Sequence, residues 1–453
     1  MNIKAQLPKF VIKILEKFET NNYEIYIVGG AVRDVILGKI IDDWDFTTNA
    51  TPEQILKIFP EGFYDNKFGT VGIKDQSSEN PFEITTYRKE YGYSDSRRPD
   101  KIEWGKTLND DLSRRDFTIN AMALKQIKEK TNEYQLIDEF EGQKDLKAKN
   151  IRAVGNPNER FSEDALRMMR AIRIASELKF TIEDKTLEAI KKNANLINRI
   201  AKERIKEEFF KLLSSPHPYE GMIIFRNSGL ITEIIPELEK TFGVEQKSPG
   251  RHHIYDVGTH LLMALKNCKS ENPVVRFATL IHDIGKPQTH KVLDTGVVTF
   301  YNHEVISTKI AENIADRLRF SNKEKDKFIK LVKFHQFTVD ERQTDSAIRR
   351  FIKNVGKENI KDMLDLRVAD RLGGGARETS WRLEEFKNRL IEIQKQPFTV
   401  KDLKIDGNDV MKKLKIKPSP KVGEILKKIF DKVIKKETPN NKKQLLTELE
   451  KYK

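Results

Sequence analysis

Apolar residues recur at helical spacing in FVIKILEKFE, where Phe10, Ile14 and Phe18 share a face opposite Lys13, Glu16 and Lys17, which predicts an amphipathic opening helix. The run Tyr26 to Val28 reads as a strand, Gly29-Gly30 as a turn, and the segment bearing Arg33 and Asp34 as a helix. Farther on, Asp43 and Asp45 flank Trp44 in a second predicted strand, which sets both carboxylates on one face and the indole on the other. PFEITTYR alternates Phe82, Ile84 and Thr86 against Glu83, Thr85 and Tyr87, a further strand. From about residue 151 the pattern turns helical and stays so, with turns at Pro216, Pro249-Gly250 and Gly373-Gly374-Gly375. The predicted class is α+β: a mixed sheet with helices over residues 1–150, then all-helical segments at 151–215, 216–395 and 396–453. No internal repeat or long low-complexity run interrupts this order.

At 453 residues the chain exceeds what one core accommodates, which favours about two to four domains. Its formal charge of +14 points to a polyanionic partner, nucleic acid before membrane. No stretch approaches the roughly 20 apolar residues that span a bilayer, and MNIKAQLPKF lacks a signal-peptide core. A single cysteine, Cys268, excludes an internal disulfide and a cysteine-based zinc site. The expected compartment is the cytoplasm.

The most specific chemistry lies near the N-terminus. Asp43 and Asp45 on one face can hold Mg²⁺ ions that also grip a nucleoside triphosphate and an attacking hydroxyl. Gly29 and Gly30 let the backbone approach phosphate oxygens, and the helix start beyond them offers N–H groups. Glu83 adds a third carboxylate from a neighbouring strand. A lone D-x-D is common; the glycine turn and Glu83 give it meaning.

GGAVRD, DWDFTTNATPEQ, EITTYRKEYGYSDSRRP, RRDFTINAMAL and RFSEDALRMMRAIR together resemble the bacterial class II tRNA nucleotidyltransferases, the CCA-adding enzymes and their poly(A) polymerase relatives. The resemblance is dense from about Tyr26 to Phe210 and weak near the C-terminus. It implies a polymerase-beta-like head at 1–150, a neck at 151–215, a body at 216–395 and a tail at 396–453. The implied reaction is addition of CCA to the tRNA 3′ end from CTP and ATP, releasing pyrophosphate. Asp43 and Asp45 would hold Mg²⁺, and Glu83 would orient or deprotonate the hydroxyl. By the same resemblance Arg33, Arg114, Asp116 and Asn120 meet the nucleotide, and Asp34 has a hydrogen-bonding role. Asp116 and Asn120 lie one turn apart at an expected helix start. The segment Arg88 to Pro99 corresponds to a flexible loop that such enzymes use for the final adenosine, and here it is retained in full.

Asp164 and Arg167, three apart on an expected helix, share a face. The resemblance makes them the readers of the incoming base: a carboxylate for the exocyclic amine and a guanidinium for ring acceptors fit C and A and reject U and G. Arg170 and Arg173 continue the row toward base or primer phosphate. AKERIKEEFFKLL, with Glu203, Arg204 and Glu208, resembles a motif that braces the neck.

All eight histidines fall between His217 and His335. His260, His282-Asp283 and Asp370 are similar in order to the ligands of HD-superfamily phosphohydrolases, with His303 and His335 as further ligands or phosphate contacts and Lys286 as a phosphate-neutralising cation. Imidazole and carboxylate suit Mn, Ni, Fe or Zn better than Mg alone. His252 and His253 are read as supporting or RNA-facing; His217 and His290 have no assigned role. Residues 401–453 carry sixteen lysines and eight acids, a surface for the tRNA acceptor end and elbow. An A-adding enzyme, a poly(A) polymerase, and a phosphohydrolase with a silent head are the alternatives. Both monomer and homodimer stay open.

Overall fold

The computed structural model describes residues 1–41, 43–64, 69–74, 81–91, 101–127, 132–246, 254–340, 342–394, 400–435 and 437–452. Strands β1 (Asn2–Lys4), β2 (Ile25–Val28), β3 (Asp45–Thr48), β4 (Phe63–Tyr64), β5 (Thr70–Ile73), β6 (Phe82–Thr86), β9 (Ala123–Gln126) and β10 (Glu133–Ile137) form one eight-stranded sheet, in the order β1-β10-β9-β2-β3-β6-β5-β4. Strands β7 (Arg88–Tyr91) and β8 (Lys101–Trp104) pair separately. Among the described residues, only β3 and β6 run parallel in the large sheet, joined by the crossover that contains α3 (Pro52–Ile58).

One face of the sheet, with Ile25, Ile27, Phe46 and Ile84, packs into the main core against Val11, Ile14, Leu15 and Phe18 of α1 (Lys9–Thr20). The stripe forms because these residues recur at helical spacing. The opposite face is lined by a smaller cluster of Tyr26, Val28, Tyr87, Leu108, Leu112 and Ala123. On that side lies α4 (Leu108–Leu112), which starts at a capping box in which Thr107 and Asp110 satisfy each other's backbone N–H groups, whereas α2 (Gly30–Leu37) packs Ala31 and Val32 into the main core.

Helix α5 (Gly142–Ala148) leads into α6 (Pro157–Glu163), α7 (Leu166–Leu178), α8 (Asp184–Asn193) and α9 (Lys202–Ser214), with α7 packed along α9. Helices Val257–Lys266 and Ile360–Gly373 lie against each other farther on. One continuous core runs from Leu7 to Ile393, whereas Leu403 to Leu449 form a second core of their own. The region after residue 150 is not wholly helical: Asn150–Ile151 pairs with Thr181–Ile182, and Lys291–Val292 with Val298–Thr299. Two-residue pairs of this kind lack the length that a periodic signal needs.

Candidate active site and metal centre

The first site is built where β2, β3 and β6 run side by side. Val28 is the register partner of Asp45, and Asp45 of Glu83, so the glycine turn after β2 and two carboxylates fall on one line across the sheet. Gly29 has φ +75° and ψ −147°, a conformation open essentially to glycine. A Cβ there would lie 2.9 Å from Asp45 Oδ2 and 3.1 Å from Arg115 Nη1. The turn is therefore tight because a carboxylate and a guanidinium crowd it. Burial pushes the Asp45 carboxyl up to about 6, with Arg115 opposing and Asp43 reinforcing the shift.

Asp43 departs from expectation. Strand β3 begins at Asp45, so Asp43 is an exposed residue of the preceding connection rather than a strand neighbour. Trp44 is buried, as its apolar surface demands, and that anchors the connection. The site stays open: among the described residues, the groups of three or more ligands whose atoms lie within 4.8 Å of one another are both elsewhere. Its donors are nonetheless all carboxylate oxygens, which fits a hard cation such as Mg²⁺.

Arg33 donates to both oxygens of Asp34, at 3.0 and 2.8 Å, and to Asn120 Oδ1 at 3.0 Å. The segment holding Asp116 and Asn120 is not an α-helix start. Asp116 precedes a single 3₁₀ turn, Thr118–Asn120, and its Oδ1 accepts from the Phe117 N–H and Asn120 Nδ2. Asp116 Oδ2 accepts from Arg170 Nε at 2.8 Å. Burial works to raise the Asp116 carboxyl, but the Arg170 guanidinium outweighs it and holds the group well below the usual carboxylate range.

The expected helical pair of Asp164 and Arg167 is also revised. Helix α6 ends at Glu163, Asp164 is extended (φ −139°, ψ 103°), and α7 begins at Leu166. The two residues thus flank a break instead of sharing a continuous face. Asp164 Oδ1 accepts from the Leu166 N–H at 3.0 Å and caps the start of α7, while Oδ2 accepts from Arg204 at 2.9 Å. Arg167 pairs with Glu163 at 2.7 Å and donates to the Arg114 carbonyl at 3.0 Å. Arg173 pairs with Glu177 and Glu208, whereas Arg170 pairs with Asp116. Glu208 of α9 therefore braces α7 through Arg173, and Arg204 holds the α6–α7 break through Asp164. Residues 92–99 of the charged loop, and His252 and His253, lie outside the described residues.

Sequence reasoning missed Asp111. It is fully buried, and its carboxylate receives both Arg114 and Arg115. Its spacing of three and four residues before two arginines was a signal.

The second site lies among the helices from Val257–Lys266 to Ile360–Gly373 and gathers all six expected ligands. His260 Nε2 lies 3.4 Å from Asp283 Oδ2 and 3.3 Å from Asp370 Oδ1, and His282 Nε2 lies 3.4 and 3.5 Å from the same atoms. On the other side, His303 and His335 Nε2 lie 3.0 and 3.4 Å from Asp283 Oδ1. His282, His303 and His335 each place Nδ1 within 2.6–2.8 Å of the backbone carbonyl three residues earlier. Those contacts fix the ring tautomer and turn Nε2 inward, an orientation suited to metal ligation. Lys286 Nζ lies 2.6 Å from both Asp283 Oδ2 and Gln246 Oε1. Burial disfavours the charged Asp283, but Lys286 and His282 prevail and keep it well below the usual range.

A family model for the poly A polymerase head domain matches residues 25–152. A model described as "Probable RNA and SrmB- binding site of polymerase A" matches 179–242, and one for tRNA nucleotidyltransferase domain 2 matches 297–449. The chain is 33% identical over 446 residues to the CCA-adding enzyme of Ligilactobacillus salivarius, covering 98% of this chain and 96% of that one. The chain belongs to the CCA-adding enzyme family. Among solved structures, the Bacillus stearothermophilus CCA-adding enzyme in complex with CTP is similar at a TM-score of 0.70 and 26% identity, covering 99% of this chain and 98% of the other. The Thermotoga maritima CCA-adding enzyme complexed with tRNA shares the fold, with a TM-score of 0.62 at 20% identity over 99% of this chain and 98% of its own. Such a family works with divalent metal ions, which agrees with the carboxylate donors on β3 and β6.

Proposed function

We propose that the chain adds CCA to the 3′ end of tRNA without a template, taking CTP and then ATP and releasing pyrophosphate. The observation that carries this reading is the line of Gly29, Asp45 and Glu83 across adjacent strands. Asp43 and Asp45 would hold Mg²⁺, which would supply Lewis acidity for the attacking 3′-hydroxyl and the departing pyrophosphate. The turn at Gly29-Gly30 and the start of α2 receive the triphosphate, and Arg33 and Asn120, already hydrogen-bonded, line the same corner. Glu83 orients the primer hydroxyl. Asp164 and Arg167, at the α6–α7 break, read the amine and ring acceptor that cytosine and adenine share. Because both are engaged with Arg204 and Glu163, base recognition uses side chains whose directions are already set.

The test is incubation of the protein with a tRNA transcript lacking CCA, Mg²⁺ and each nucleotide singly and together, resolved at single-nucleotide length. Growth by C, C and A followed by arrest supports the reading. Addition of A only after a preformed CC would assign an A-adding enzyme, a long A ladder a poly(A) polymerase, and no extension would overturn nucleotidyl transfer.

A second activity is favoured by one observation: the two oxygens of Asp283 face different histidine sets. We infer a two-ion centre for divalent transition metals, Mn, Ni, Fe or Zn, of the HD phosphohydrolase type, with His260, His282 and Asp370 on one ion and His303 and His335 on the other. Its substrates are phosphate esters of RNA ends or nucleotides, which Lys286 helps to neutralise. Metal analysis of the purified chain tests this. About two ions per chain, lost in Asp283→Ala together with 2′,3′-cyclic phosphate hydrolysis, is the expected result; hydrolysis that survives in the variant would refute it.

A further inference from the structure

We propose that Arg367 is a positioning residue for the second metal centre: it sets the Asp370 carboxylate so that Oδ1 serves the ion of His260 and His282, and it has no part in holding the ion of His303 and His335. Arg367 and Asp370 lie three apart on the helix Ile360–Gly373 and so share a face. Arg367 Nη1 donates to Asp370 Oδ2 at 3.1 Å, while Oδ1 lies 3.3 Å from His260 Nε2 and 3.5 Å from His282 Nε2. The two oxygens are thus divided between a guanidinium and two imidazoles. Backbone contact places the helix itself: a Cβ on Gly373 would lie 2.7 Å from the backbone N of Ala264, one turn beyond His260 on the helix Val257–Lys266. That approach decides where the Asp370 backbone stands, but the rotation of its carboxylate is left to Arg367.

An ordinary exposed pair at this spacing contributes little. Two features set this one apart. The Asp370 side chain is 19% exposed, against 5% for Asp283 and 8% or less for the four histidines, so it keeps a freedom of rotamer and water partner that the buried ligands have lost. Arg367 Cζ lies 5.5 Å from the centre of the Phe337 ring, and its Nε is buried with no hydrogen-bond partner among the described residues. Seating the guanidinium there costs a desolvated donor, and the bond to Asp370 is what it makes in return. The guanidinium charge also opposes a nearby cation. Orientation has to outweigh that repulsion, which gives the effect a definite sign.

The inference rests on the two-ion reading of the Asp283 centre, and metal-free wild-type protein is titrated with Mn²⁺ alongside the variants, free Mn²⁺ being followed by electron paramagnetic resonance. Fewer than two ions on the wild type would overturn that reading. Full-length Arg367→Met and Arg367→Lys are compared with it, and His260→Ala and His335→Ala mark which step of the titration belongs to which ion. The expected result for Arg367→Met is an affinity for the His260 ion weakened about 10–100-fold, with the His335 ion bound as in the wild type. Arg367→Lys, which keeps the charge and loses the planar fork, falls between the two. Two ions on the wild type, with unchanged or tighter binding in Arg367→Met or equal weakening of both ions, would overturn this proposal, whatever the melting temperature does. Should Arg367→Met fail to fold, Arg367→Lys decides: weakening confined to the His260 ion supports the assignment, and binding like the wild type refutes it.

Discussion

At the residue scale the site depends on a glycine whose need for φ +75° is joined to a close approach by Asp45 and Arg115. Gly29→Ala adds both backbone strain and a contact under 3 Å to a carboxylate oxygen. We expect it to reduce nucleotide addition on the order of 10²-fold or more while circular dichroism stays native; near-normal addition would contradict the crowded turn. Asp45→Asn keeps the shape but removes the charge that a cation needs. Its expected outcome is loss of addition on the order of 10³-fold with retained tRNA binding, measured by extension and by filter binding. Asp45, Glu83 and the glycines were legible in the sequence because strand alternation and a Gly-Gly turn are local patterns. The position of Asp43 was not, since nothing local distinguishes the last residues of a connection from the first of a strand. Asp111 was hidden for another reason: its partners are near in sequence, yet its complete burial depends on the sheet that α4 covers.

At the element scale, α7 is joined to the segment after α4 by an ion pair, Asp116 to Arg170, and by a hydrogen bond from Arg167 to the Arg114 carbonyl. The sequence showed a helix with arginines at turn spacing, but a break at Asp164-Ala165 reassigns which residues face the head. Periodicity continues through a one-residue extended kink and so conceals it. Asp116 is nearly buried while Arg170 keeps part of its side chain in solvent, so screening limits the pair, and a double-mutant cycle of Asp116→Asn and Arg170→Met should return a coupling on the order of 1 kcal/mol in thermal unfolding. The pH dependence has a definite sign. Asp116 is depressed in the folded state, so its contribution is complete above the unfolded carboxyl value of about 3.9 and fades as pH falls toward the lower folded value. The melting deficit of Asp116→Asn should therefore be constant from about pH 6 to 8 and shrink below about pH 4. A deficit that instead grows on acidification would mean that Asp116 is not held ionised by Arg170.

At the scale of the whole molecule, charge is divided unevenly and the tail is where it concentrates. Residues 401–453 fold around a core of their own, in which Val410, Val422, Ile425, Ile429, Leu445 and Leu449 face inward and Lys412, Lys415, Lys417, Lys421, Lys427 and Lys428 stay exposed. Separate cores make the tail removable without opening the main one, because burying apolar area is what couples elements to one fold. Among the described residues no helix is long and apolar enough to cross a membrane. The density of exposed lysines is what suits this surface to a polyanion. Exposed lysines that meet phosphates release counterions on binding, so each lysine withdrawn from a phosphate should lower the slope of log affinity against log salt by roughly 1. Ending the chain after residue 396 should therefore weaken tRNA binding and flatten its salt dependence, while a metal assay still finds the ions of the Asp283 centre and the main unfolding transition persists. Replacing Lys412, Lys415, Lys417 and Lys421 with Gln separates charge from shape: a slope reduced by several units with an unchanged melting temperature places the tRNA backbone on this face. An unchanged slope would move the tRNA elsewhere and leave these lysines as a solvated surface.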